Sequence, residues 1–208
     1  MKEELLLKEI VPKALELWDV NPKKISLPLQ SENTVFKIED SNGNNFALRI
    51  SKEGRHHFNE FTSEYLWMSH LADIGLKVPK TVLSIEREAF VEIENTLSTK
   101  KVYACLLSWL EGQQLSSLLP VMKKEDVKNT YKSLGGVIAK LHTAAIDWNA
   151  PKEFSRPSFD VDGLLGEEPL WGKFWEVKSI NSSDRMELNL IKDKLRIILE
   201  GFDQDSNL

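Results

Sequence analysis

Two runs of alternating apolar and polar residues, 34–38 and 46–50, flank the cluster Asp40-Ser41-Asn42-Gly43-Asn44-Asn45. Alternation with a period of two predicts strands, and an Asn-Gly pair between them predicts a β-hairpin. In the second run Phe46, Leu48 and Ile50 fall on one face, and Ala47 and Arg49 on the other. The period then changes. Phe58, Phe61, Tyr65, Met68 and Ala72 recur at three and four residues, which predicts a helix over 58–74 with Gly75 as its stop.

The remaining pattern is read in the same way. Residues 1–18 predict helix, interrupted or restarted at Pro12, and 25–29 predict a short strand that Pro28 places at an edge. Val78-Pro79 opens an extended stretch that continues over 81–84, and strands are predicted at 89–93 and 101–110. Beyond Glu111-Gly112 the period is helical. Val127, Tyr131, Leu134, Val137, Ile138 and Leu141 predict a helix over 125–142. Residues 151–169 read as loop and 170–177 as an aromatic cluster, with Trp171–Trp175 as core packing. A last helix is predicted over 185–199, with Ser183 or Asp184 as N-cap. The fold class is therefore α+β, with a sheet-bearing part at 1–110 and a helical part at 111–208.

Composition narrows the function. With 208 residues and a net charge of −5, the chain lacks the basic footprint that nucleic-acid binding needs. No apolar run approaches the ~18–20 residues of a membrane span, and the acidic start Met1-Lys2-Glu3-Glu4 is unlike a signal peptide. The single cysteine, Cys105, excludes an intrachain disulfide and suits a reducing compartment. A cytoplasmic protein with neither membrane nor nucleic-acid partner is expected.

Several motifs occur in order. Ser31-Glu32-Asn33 precedes a strand, Ala47-Leu48-Arg49 lies within the next, and Glu64 sits in the middle of a helix. Leu107-Ser108-Trp109-Leu110-Glu111-Gly112 closes the sheet region. A helical run, 134–142, then Phe154-Ser155-Arg156-Pro157 and Leu170-Trp171-Gly172-Lys173-Phe174-Trp175 follow. Together these resemble the aminoglycoside phosphotransferase-like family of small-molecule kinases, relatives of choline and homoserine kinases, over roughly residues 28–200. The resemblance implies a protein-kinase-like nucleotide lobe, an antiparallel sheet with one helix, followed by an incomplete helical C-lobe.

The resemblance also implies roles. Ser31, Glu32 and Asn33 would form the turn over the phosphates of ATP, with backbone N–H donors. Arg49 stands where the family usually has a lysine on the phosphates, and Glu64 stands at its helix partner; Glu60, one turn away, competes for that place. A guanidinium fork can hold carboxylate and phosphate together. Ala47 would roof the adenine, and Ser108, Trp109 and Leu110 would present the backbone edge to it. Other candidates have plainer readings. His142 resembles a family position but reads as a helix-terminal cap, and Asp160 with Asp162 as a solvated turn. His56, His57 and Glu60 offer ligand types without a fourth member.

One expectation is negative. The family's catalysis uses His-x-Asp-x-x-x-x-Asn and a later Asp that holds magnesium. His56, His57, His70 and His142 are the only histidines, and none begins such a sequence. The implied Mg2+ ligands are therefore absent, and the expectation is an N-terminal portion of a kinase, inactive alone, that takes nucleotide and an unspecified small-molecule acceptor. Uncovered apolar surface on the helices from 125 onward is expected to promote self-association. The alternatives are a pseudokinase-like module that binds nucleotide or a partner, and an unrelated α+β scaffold.

Overall fold

The structure is a computed structural model that describes residues 9–30, 33–51, 58–94 and 101–205. The elements in chain order are α1 (Val11–Glu16), β1 (Pro22–Gln30), β2 (Asn33–Asp40), β3 (Asn45–Ser51), α2 (Phe58–Asp73), β4 (Thr81–Val82), β5 (Val91–Ile93) and β6 (Val102–Ser108). Helices α3 (Leu115–Leu118), α4 (Lys124–Asp147), α5 (Val161–Leu165) and α6 (Ser182–Asp205) follow, with short 3-10 turns at Leu119–Val121 and Phe174–Glu176. The α+β class expected from the sequence is the class found, as an antiparallel six-stranded sheet followed by helices. By density of contacts the chain divides into one unit of residues 1–155 and another of 156–208.

The strand order is β1-β2-β3-β6-β4, with β5 also paired to β6. The hairpin forms where the alternation places it, with Phe36 opposite Leu48 and Val35 opposite Arg49. Its turn is fixed by two devices. Gly43 takes φ +85°, which a side chain would resist, and the Asp40 carboxylate accepts from the Asn42 and Asn44 N–H groups and the Asn44 amide. Those bonds, the Asn44 side chain first, hold Asp40 below the usual carboxylate range. Strand β1 is the sheet edge, and its pairing slips between Ser26 and Leu29, where Pro28 has no N–H to give.

Alternation gives the sheet two unlike faces. On one, Phe36, Ile38, Leu48, Ile50, Ala104 and Leu106 bury against Val11, Ala14 and Leu15 of α1 and against Trp18, whose indole donates to the Val82 carbonyl at 2.8 Å. On the other, Tyr103, Cys105 and Leu107 pack under Phe61 of α2 and Phe90. That cover stops short of β2, so Val35, Lys37, Ala47 and Arg49 are only half-buried. Helix α2 ends in a Schellman closure: Leu76 N–H donates to Leu71 O and Gly75 N–H to Ala72 O, with Gly75 at φ +82°.

The helical region departs from the expectation in four places. Helix α4 continues through Thr143, Ala144 and Ala145 to Asp147, so His142 is exposed inside a helix rather than at its end. Within the expected loop, Asp160 caps α5 by accepting from Gly163 N–H at 2.8 Å, so its carboxylate is engaged in the backbone. Helix α6 starts earlier than predicted, because Asn181 Oδ1 accepts from Asp184 N–H and takes the capping role expected of Ser183 or Asp184. Of the expected aromatic core, Trp175 is buried and Trp171 is exposed. No helix among the described residues is long and apolar enough to cross a membrane.

Leu48 lies at the centre of the α1-side core and is fully buried. Leu48→Ala should cost about 2–5 kcal/mol in urea unfolding, and a loss below about 1 kcal/mol would contradict this placement.

Candidate functional site

The half-open sheet face collects the chemistry. Asn33, Val35 and Lys37 alternate along β2, and Ala47 and Arg49 along β3, with Lys37 opposite Ala47 and Val35 opposite Arg49. On the far side of β3, Leu107 pairs with Ala47 and Cys105 with Arg49. The row from Asn33 to Lys37 spans roughly 14 Å at ordinary strand rise.

Arg49 is the one cation of this row that reaches α2. Its guanidinium meets Glu64 with both forks, Nη1 to Oε1 and Nη2 to Oε2, the latter at 2.9 Å. It also lies 5.6 Å from the centre of the Phe90 ring. Of the two carboxylates weighed from sequence, Glu64 makes this bidentate pair. Burial acts to lower the Arg49 pKa, but Cys105 and Glu64 outweigh it and hold the group above its ordinary value. At neutral pH the Cys105 thiol carries no charge, so Glu64 is the partner that acts there. Burial pushes that thiol up to about 11, opposed in part by Arg49.

The segment after β6 is tied to the protein on both sides. Ser108 N–H donates to Lys80 O and its hydroxyl accepts from Lys80 N–H, each at 2.8 Å. Trp109 N–H donates to Asn45 O at 3.3 Å, and Lys37 Nζ stands 4.6 Å over the Trp109 ring. Leu110 follows, more than a third exposed.

Of the residues singled out in the sequence, Ala47, Arg49, Glu64 and Trp109 gather on or beside this face. Asn33 stands at its far end with Oδ1 buried and unpartnered among the described residues. Ser31, Glu32, His56 and His57 lie outside the described residues. Val35 and Lys37 were missed. The alternation of β2 held the signal, since the residues opposite Arg49 and Ala47 must share their face. Among the described residues no three His, Cys, Asp or Glu side chains gather as a metal site.

The sequence matches the model of the phosphotransferase enzyme family (APH) over residues 26–182. No curated protein matches the chain. Among solved structures, a microcompartment-associated aminopropanol kinase superposes with a TM-score of 0.76 at 24% identity, over 93% of this chain and 57% of its own. An amicoumacin kinase in complex with AMP-PNP, Ca2+ and Ami gives a TM-score of 0.70 at 18% identity, over 96% of this chain and 54% of its own. The chain thus spans a little over half the length of either structure.

The thiol sets a pH dependence. Its ordinary value is 9.0 and its folded value about 11, so the folded state keeps the proton longer than the unfolded state. The stability this gives is complete below pH 9 and is lost as pH rises toward 11, by up to about 3 kcal/mol. Urea midpoints of the chain should fall across that window, and Cys105→Ala should flatten the fall relative to wild type. An equal slope in both would remove Cys105 from the account.

Proposed function

The chain belongs to the phosphotransferase enzyme family, and from that premise we propose that it carries the nucleotide-holding lobe of an ATP-dependent kinase acting on a hydroxyl of a small molecule. The observation that carries the reading is the bidentate Arg49–Glu64 pair on a sheet face left half open. Glu64 occupies one N–H of each terminal nitrogen and Cys105 shares a further hydrogen bond, and the guanidinium donors beyond these would serve phosphate oxygens. Ala47, small and half-buried, would roof a flat base. The Ser108 and Trp109 N–H groups donate to Lys80 O and Asn45 O, and the Leu110 backbone is the part of this segment we assign to the adenine edge.

Asn33 Oδ1, buried and unpartnered among the described residues at the end of the face, would accept a hydrogen bond from a ligand donor. ATP supplies the phosphoryl group when bound. The protein groups named here would bind and orient it, and Arg49 would offset part of the phosphate charge. The described residues do not gather a site for magnesium, so no step runs through the metal here. The 208 residues hold no His-x-Asp-x-x-x-x-Asn sequence, and the reading includes binding without transfer by these residues alone. In this reading residues 1–110 act as the nucleotide lobe and 111–208 form a partial helical lobe. A reducing, cytoplasmic setting suits the lone buried thiol.

Titration of the chain with ATP, followed by calorimetry, tests the reading. Binding is expected, and Arg49→Ala should weaken it about 10- to 100-fold, the loss of charge-assisted bonds to phosphate. No binding, or equal binding by the variant, would overturn it. Chain-dependent transfer from ATP to an amino alcohol, with contaminating kinases excluded, would overturn the non-transfer part alone. Tyr131, Leu134, Val137 and Ile138 form an exposed apolar stripe on α4, each more than 40% exposed. Self-association at micromolar concentration is expected from it; a monodisperse monomer in light scattering would remove that part.

A further inference from the structure

Helix α2 carries Glu64, yet little of it is fully buried: Phe61, Ser63 and Leu71 only, among its described residues. Two different surfaces hold it. Phe61, Tyr65 and Met68 face the sheet, where Phe61 meets the Tyr103 and Phe90 rings at 5.1 Å each. At about 100° per residue these three fall on one side of the helix, and Ser63, Trp67 and His70 fall on roughly the opposite side.

That second side is gripped by the chain just after α4. The Trp148 ring lies 4.9 Å from Trp67 and stacks on His70 at 5.4 Å and 20°. Phe154 meets Trp148 edge-on at 4.8 Å. Ser63 Oγ, wholly buried, donates to Asn59 O at 2.8 Å and accepts from Ser155 N–H at 2.7 Å. These partners are 92 residues apart along the chain, and Ser63 is the immediate neighbour of Glu64. His70 Nε2 is buried with no hydrogen-bond partner among the described residues, so the ring contributes here by stacking.

We propose that residues 148–155 are a strap that presses α2 onto the sheet, and that Trp148 and Ser63 are positioning residues that set Glu64 against Arg49. A helix clamped on opposite sides can neither roll nor lift without breaking one contact surface. Loss of the strap frees the roll, and the carboxylate leaves the guanidinium fork. The claim rests on the reading of Arg49 and Glu64 as the nucleotide-holding pair.

Cys105 gives a readout that does not need nucleotide. It is the only cysteine, it is buried, and it lies in the cluster that α2 covers. Maleimide labelling of the native chain therefore reports lifting of α2. Trp148→Ala should label about tenfold faster than wild type, and Ser63→Ala, which leaves a smaller gap, about threefold faster. Trp148→Phe should stay near wild type. Trp18→Phe loosens the opposite face of the sheet and is the control at matched melting temperature; it should not accelerate labelling. Trp148→Ala should also weaken ATP binding about tenfold in the wild-type background but add nothing in a Glu64→Gln background, a coupling that general destabilisation does not produce.

Labelling of both variants at the rate of the Trp18→Phe control overturns the strap. So does ATP affinity that falls with Arg49→Ala but not with Trp148→Ala. Equal ATP affinity of wild type and Arg49→Ala instead overturns the nucleotide reading, and with it the part of the claim that joins the strap to that site.

Discussion

The fork between Arg49 and Glu64 is the interaction on which the candidate site depends. It joins a strand in the middle of the sheet to α2, which among the described residues packs on that face. A guanidinium held at both ends by a carboxylate has one orientation, and its remaining donors point in fixed directions. The pair is shielded but not sealed, since the two side chains keep 16% and 26% of their exposure. A fully buried pair would owe a large desolvation cost and have no route to a ligand; an exposed pair would contribute little. At this intermediate depth the pair ties α2 to the sheet and still keeps some exposure to solvent.

The sheet makes that depth available through unequal cover. Both faces arise from the same alternation, but α1 with Trp18 buries Phe36, Ile38, Leu48 and Ile50 on one, while α2 covers only the part of the other over β3 and β6. Strand β6 is buried over 102–107 and acts as the spine, pairing with β3, β4 and β5. The half-covered remainder, lined by Val35, Lys37, Ala47 and Arg49, is too polar and too open to be core. It retains a cation, a small residue and a tryptophan at one end.

Local rules carried much of this in the sequence. The hairpin, the span of α2, the Gly75 stop and the edge position of β1 follow from period, Asn-Gly, glycine and proline chemistry, each acting within a few residues. The pairing of Arg49 with Glu64 was legible through family resemblance. The chain alone left Glu60 equally open, because one helical turn separates the two carboxylates and only the docking of α2 decides between them. What was missed is non-local. Lys37 meets Trp109 only because β2 and β6 flank β3, and Trp148 reaches Trp67 and His70 across a large loop of chain. Asp160 read as a solvated turn because a cap for a five-residue helix leaves almost no periodic signal.

The central claim is that the half-open face around Arg49 holds nucleotide. Hydrogen–deuterium exchange of the intact chain, with and without saturating ATP, tests it most directly. The account predicts slowed exchange in β2, β3, the middle of α2 and residues 108–110, with α1 and the edge of β1 unchanged. Protection confined to the helical part, or no change at a saturating concentration, would contradict it.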